Sequence, residues 1–251
     1  MTRANLPSKL AKEPLIDVIF EVRFTGSVPG TTLLPGLLFN KITGITNIEP
    51  LSASQLPQSI RDGDPNLQFA PLNRLSWGDF AILVGDRSLS VGCKMPYPGW
   101  TRFKAAILEV VEVFRNAPFV TTIDRYALKY VDFFETGSDL KKAVEQFDIS
   151  LRLGKHQLSA ENTMIRIEIS RPPYLHAVQI MTLANIQAPG MVGRSGAVLD
   201  VDTLVVESFG DVPTLLADFA ARLDAIHWAN KEVFFESLNN TALEELGPSY
   251  E

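Results

Sequence analysis

The sequence predicts an α+β fold built from two strand–helix–three strands–helix units that join in one mainly antiparallel, curved sheet, with long helices on one face. Three observations carry that expectation. Two segments, Leu15–Phe24 and Ile123–Glu135, alternate apolar and polar residues over ten or more positions, and each opens one half of the chain. Helical stripes follow both of them, and the remaining apolar runs are separated by hairpin-type turns. Finally, 251 residues with 46% hydrophobic and 21% charged content are enough to bury one large core, which excludes wholesale disorder. The expected division is 1–118 for the first repeat and 119–251 for the second, packed as one compact unit.

In the first half, Ile16, Val18, Phe20, Val22 and Phe24 share one face of the opening strand, opposed to Asp17, Glu21 and Arg23. Pro14 stands at its start, where a missing N–H costs little. Leu34, Leu37, Leu38 and Ile42 form one stripe of a helix expected over 33–45. Residues 47–65 hold Pro50, Pro57, Gly63 and Pro65 among polar residues and read as a surface loop. Strands are expected at 67–71, 74–84 and 88–94, with a turn at Gly85-Asp86-Arg87. Trp100, Phe103, Ile107, Val110 and Phe114 then fall at steps of three and four, which predicts a helix over 100–116 ended by Pro118.

The second half repeats the order. Tyr126, Leu128, Tyr130 and Phe134 oppose Arg125, Lys129 and Phe133 on the strand. Ser138 is the expected N-cap of a helix over 139–147. Strands follow at 164–170, 176–186 and 197–207, then a long helix from Pro213 to about Leu238. Thr241 and Glu244 have capping-box spacing for one last turn. Two long helices cradled by such a sheet resemble helix-grip or TATA-binding-protein-like architectures, an analogy of arrangement that assigns no function.

Charge narrows the functional classes. Residues 1–118 carry 12 basic and 10 acidic side chains, a net of +2, and residues 119–251 carry 11 and 19, a net of −8. From Asp200 onward only Arg222 and Lys231 face eleven acids. The overall −6 disfavours nucleic acid as a partner, because phosphate binding needs basic surface. The acidic segment reads either as a surface for a basic partner or as a solvated helix face. Cys93 is the single cysteine and cannot form an intramolecular disulfide. The first residues lead into no apolar signal region, and no apolar run approaches the roughly 20 residues of a membrane span, so a cytoplasmic protein with no membrane partner is expected.

Candidate sites are few, and each has a structural alternative. Asp200 and Asp202 form a D-x-D whose carboxylates lie on one side of a strand, roughly 7 Å apart. They could hold a metal for a hydrolase, or bridge to strand neighbours such as Arg166 or Arg125. Asp17 and Glu21 on one opening strand complement Arg125 and Lys129 on the other, and paired strands would bring them into a polar face at the centre of the sheet. That face is either structural or a binding surface. His156, His176 and His227 fit no metal-ligand spacing, and His227 beside an apolar stripe reads as a hydrogen-bonded structural residue. Cys93 shares the face of Leu89 and Val91 and reads as a small core residue.

Gly190, Gly193 and Gly196 imitate a phosphate loop, but a strand follows them instead of a helix N-terminus. They read as a hairpin connection with Arg194 at an exposed tip, available to a partner. Adjacent Phe234 and Phe235 are not expected both to face inward on one helix, which leaves Phe235 as a contact residue for a partner or oligomer. No cofactor is implied and no catalytic constellation is complete.

Several stretches together, Pro14-Leu15 with Val18-Ile-Phe-Glu21-Val-Arg23-Phe24, Trp100 with Phe103, Arg125-Tyr126-Ala-Leu-Lys-Tyr130-Val-Asp132, Leu199-Asp200-Val-Asp202, and His227 with Phe234-Phe-Glu236-Ser-Leu-Asn, resemble a sporadically distributed bacterial family of similar chain length. Ala127 stands where that pattern more often has Gly. The patchy distribution resembles that of defence, toxin–antitoxin or mobile-element cassettes and implies no reaction or cofactor. The leading expectation is therefore a non-catalytic interaction or accessory protein with a protein partner or as a homo-oligomer. A small-molecule-binding module with a cavity between sheet and C-terminal helix, and a metal-dependent hydrolase using Asp200 and Asp202, are the alternatives.

Overall fold

A computed structural model describes residues 6–115, 117–187, 193–205 and 212–250. Gly190, Asn116 and the 206–207 end of the last predicted strand lie outside the described residues. The chain is mixed α+β. In order it forms β1 (Lys9–Leu10), β2 (Leu15–Gly26), α1 (Gly30–Lys41), β3 (Ile45–Pro50), a 3₁₀ turn (Ser52–Gln55), α2 (Gln58–Gly63), β4 (Pro71–Trp77), β5 (Phe80–Gly85), β6 (Ser88–Cys93) and α3 (Trp100–Arg115). It continues with β7 (Val120–Phe134), α4 (Leu140–Val144), β8 (Arg152–Leu153), β9 (His156–Gln157), β10 (Met164–Arg171), β11 (Tyr174–Ile186), β12 (Arg194–Val205), α5 (Val212–Leu216), α6 (Phe219–Ser237), α7 (Asn240–Glu245) and β13 (Pro248–Ser249). Nine strands form a large, mostly antiparallel sheet in the order β10-β11-β12-β7-β2-β6-β5-β4-β3.

Two compact units interleave along the chain. The first comprises residues 1–16, 129–203 and 227–251, and the second residues 17–128 and 204–226. In the second unit, the inward positions of β2 deliver Phe20 and Phe24 to the core, where Phe24 meets Phe114 of α3 edge-on at 4.9 Å between centroids. Leu34 and Leu38 of α1 and Phe103 and Ile107 of α3 are fully buried there. In the first unit, Phe134, Phe147, Val178, Leu199, Val201, Val233 and Phe235 belong to one buried cluster.

Most strand periodicities hold, but the strand expected at 67–71 is a turn in which the Asp64 carbonyl accepts the Leu67 and Gln68 N–H groups, and several boundaries move for local reasons. Helix α1 ends at Lys41 because Ile42 is extended, and Gly44 at φ +93° turns the chain into β3. The segment expected as a loop at 47–65 instead contains β3, the 3₁₀ turn and α2. Strand β3 lacks apolar alternation of its own and is held by pairing with β4, as in Ile48 opposite Leu75. The single strand expected at 74–84 is two, split at Gly78 (φ +53°), with Trp77 opposite Phe80.

The long C-terminal helix is also broken. Residues 217–218 form a turn, and the Asp218 carbonyl accepts the Ala221 and Arg222 N–H groups at 3.0 and 3.1 Å, which begins α6 afresh. The caps lie beside the residues expected from sequence. Asp139, not Ser138, accepts the Lys142 N–H at 3.0 Å, and Asn239, not Thr241, accepts the Ala242 N–H at 2.8 Å.

Candidate functional site

The charges picked out on the opening strands divide into two sets. In the second unit, Glu21 Oε1 lies 2.6 Å from Arg23 Nε and 3.4 Å from Arg125 Nη2, so the expected approach of Glu21 to Arg125 is present. Arg23 also lies over the Phe69 ring at 4.0 Å. The Arg125 Nε is buried with no hydrogen-bond partner among the described residues. Asp17 acts electrostatically on Cys93, raising its thiol pKa.

In the first unit, Lys129 Nζ meets Asp200 Oδ2 at 2.6 Å. The partners expected for the D-x-D are therefore engaged elsewhere: Arg125 with Glu21, and Arg166 with Glu168. An ammonium on Asp200 offsets the negative charge that a divalent cation would need there. Among the described residues, no group of three or more His, Cys, Asp or Glu is placed to hold a metal.

Part of the acidity of the C-terminal region is compensated within the chain. Asp218 binds Arg222, Asp224 binds Lys104 and the Trp100 indole N–H, and Glu236 binds Arg171. Arg222 is held above its usual pKa, first by the hydrogen bond to Asp218. Asp218 and Asp224 remain solvent-exposed within these pairs. Phe235 corrects a second expectation. It is 3% exposed and Phe234 8%, both within the core cluster, so Phe235 offers no contact surface. Both are enclosed because Ala143, Phe147 and Leu246 belong to the same cluster, with Leu243 of α7 packed against it.

His227 Nδ1 lies 3.1 Å from the Tyr130 hydroxyl, in keeping with a structural histidine. Cys93 is half-buried, and burial, then Asp17 and Asp79, push its thiol up to about 12, far from nucleophilic.

A polar cleft of about 350 Å³ in the first unit has no counterpart among the sequence candidates except Arg194. Lys12, Glu13 and Pro14 lead into β2 on one side. Phe133 and Phe134 end β7 and are followed by Glu135 and Thr136. Lys142 and Gln146, with Ala242, Glu245 and Leu246, complete the wall. Arg194 reaches Glu135 at 3.5 Å and lies 5.4 Å from the centre of the Phe133 ring. Three cations and three carboxylates thus line one small space. Thr136 is 7% exposed, and its buried hydroxyl makes no hydrogen bond among the described residues. Leaving such a group unsatisfied costs about 1–3 kcal/mol.

Beside this cleft, Asp132 is 5% exposed. Burial, followed by the charges of Asp200 and Glu13, pushes its carboxyl up to about 8. At neutral pH Asp132 is chiefly a neutral acid, next to a residue that lines the cleft. It falls at the parity of Tyr130 and Phe134, the apolar face of β7, and an aspartate at that parity is the sequence signal that marks it. Thr136 carries no such signal, since it follows the strand.

Sequence reasoning also missed a buried polar network. Asn230 donates to the Val201 carbonyl at 2.9 Å and to Thr203 Oγ1 at 3.0 Å, and Thr203 Oγ1 lies 3.0 Å from His176 Nδ1. Burial, then Arg171, lowers the His176 pKa to about 4. A neutral ring accepting the Thr203 hydroxyl at Nδ1 satisfies that arrangement. Compared with protein-family models and with curated proteins, the chain matches none of them.

Proposed function

We propose that this protein acts by binding rather than by catalysis, and that its first unit holds a small molecule of mixed charge in the cleft beside Thr136. The observation that carries this reading is the Thr136 hydroxyl, 7% exposed and without a partner, in a cleft lined by Lys12, Lys142, Arg194, Glu13, Glu135 and Glu245. A ligand with both an acidic and an ammonium group, such as an amino acid or dipeptide, matches the two signs of charge, and a rotation of the Thr136 side chain toward it would give the buried hydroxyl a partner. The cavity differs from the one expected under the long helix, where Leu223, Ile226, Asn230 and Val233 are buried. Titration calorimetry with amino acids and dipeptides tests the reading. Binding should be lost in Thr136→Val, while the unliganded variant gains about 1 kcal/mol because an unsatisfied hydroxyl is gone. Absence of binding across that panel, or undiminished binding by Thr136→Val, overturns it.

The fold supports a duplicated architecture. In each half the opening strand lies in the sheet beside the last strand of a meander that runs out to an edge, β2-β6-β5-β4-β3 in the first half, which has one strand more, and β7-β12-β11-β10 in the second. A helix follows each opening strand (α1, α4) and each meander (α3, α5–α6). We read this as internal duplication of the helix-grip or TATA-binding-protein-like kind, in a cytoplasmic protein.

A second reading is a non-catalytic interaction or accessory protein of a transferred defence or toxin–antitoxin cassette. The open edge strand β10, with Met164 and Ile167 exposed, favours it. No helix among the described residues is long and apolar enough to cross a membrane.

A further inference from the structure

We propose that the protein forms a two-fold homodimer by antiparallel pairing of β10 with β10 of a second copy, centred on Ile167. The two ends of the nine-stranded sheet are built differently. Strand β3 at one end carries a bulge between Ile45 and Asn47 and terminates in Pro50, two devices that blunt an edge. Strand β10 at the other end runs eight residues in unbroken register with β11, with no proline, lysine or bulge. Its outer edge is thus a regular template for another strand.

The register follows from the backbone. The Thr163 carbonyl accepts the Thr182 N–H at 3.0 Å, so residue 163 directs its peptide groups toward β11. By alternation 165, 167 and 169 do the same, and Met164, Arg166, Glu168 and Ser170 direct theirs outward. Antiparallel pairing about Ile167 matches each residue with the one at the mirrored position. Arg166 then opposes Glu168 of the second copy, Glu168 opposes its Arg166, and Met164 opposes Ser170, all of them residues with outward peptide groups.

The side chains on the other face agree with that register. Ile165 opposes Ile169, and Ile167 opposes itself, which gives a continuous isoleucine ladder. Within the chain, Ile165, Ile167 and Ile169 lie opposite Ile180, Val178 and His176, all buried. Ile167 is nevertheless 48% exposed, so the apolar face of the sheet runs out to an uncovered end that a second copy covers. Arg166 and Glu168 pair within one strand at 3.3 Å and are both exposed. Exchanging that pair for two cross-strand pairs keeps both charges matched. Any other occupant would need its own complement to the Arg-Ile-Glu order, whereas this strand is its own complement. The inference is independent of the cleft.

Sedimentation analysis of the full chain tests it through charge exchange. The wild type should dimerise, and Arg166→Glu or Glu168→Arg should each weaken dimerisation by about tenfold or more, because each places like charges opposite one another twice. Mixing the two single variants should restore association as a heterodimer, since the glutamates of one then oppose the arginines of the other. The double exchange, Arg166→Glu with Glu168→Arg, should dimerise like the wild type. A wild type that stays monomeric to about 100 µM overturns the proposal. So do single variants that dimerise undiminished, or a mixture no tighter than either alone. Because the complementary mixture regains what each variant loses, misfolding of the singles does not imitate the expected result.

Discussion

Replacing Asp132 by asparagine should stabilise the protein increasingly as pH rises. The carboxyl moves from an ordinary value of 3.8 to about 8 on folding, with burial as the first cause and Asp200 and Glu13 adding to it. The native state therefore keeps a proton that the unfolded chain releases above pH 3.8, so stability is lost with rising pH up to about 8, at about 1.4 kcal/mol per unit. His176 acts in the opposite sense. Its value falls from 6.5 to about 4, so its contribution is complete above pH 6.5 and is lost as pH falls through 4. Between pH 4 and 6.5 the two slopes offset each other, and from 6.5 to 8 the Asp132 slope alone removes about 2 kcal/mol. Asparagine keeps the shape and has no proton to lose. The gap between variant and wild type should then widen by about 4 kcal/mol between pH 5 and 8, roughly 1–2 M in urea midpoint for a chain of this size. Urea unfolding followed by circular dichroism at several pH values measures that gap, in which other titrating groups cancel. A gap that stays constant with pH means Asp132 is ionised in the native protein and refutes the argument.

Two further outcomes follow from groups outside the cleft. Asp86→Ala should cost about 3–5 kcal/mol, read by thermal or urea unfolding, because it strands Arg61 in a site where the two side chains are only 11% and 9% exposed, and removes the Thr31 hydrogen bond as well. Cys93 should react with a disulfide reagent at pH 8 far more slowly than the unfolded chain does, since its thiol is pushed up to about 12; equal rates would show an exposed, ordinary thiol.

Most strands were legible because one face of each is buried, and period 2 then writes the burial into the sequence. Val18, Phe20, Val22 and Phe24 are the clearest case, all nearly inaccessible. Helix α3 was legible for the same reason at its own period. What failed had no local signature. Strand β3 depends on its partner, the break at Asp218 depends on a single turn within an otherwise continuous apolar stripe, and Phe235 is buried because residues distant in sequence close over it. The polar site was harder still. Of its residues only Arg194 stood out in sequence, since Lys12, Lys142 and Thr136 come from three separate connections and helices. Charge counting was coarse for a related reason, because it does not separate Asp218, Asp224 and Glu236, which hold cations, from the other acids of the segment.

The two units differ in how some of their buried polar groups are satisfied. The buried ionic group of the second unit, Arg61 with Asp86 and Thr31, is matched in charge and fixes a hairpin to two helices. Such a group has a structural account that is complete within the chain. In the first unit, Asp132 is buried beside two other carboxyls and Thr136 is buried without a hydrogen bond, so both cost stability that no contact nearby returns. On the binding role proposed above, a ligand in the cleft lined by Thr136 would offset such a cost, and the first unit is where that ligand should be sought.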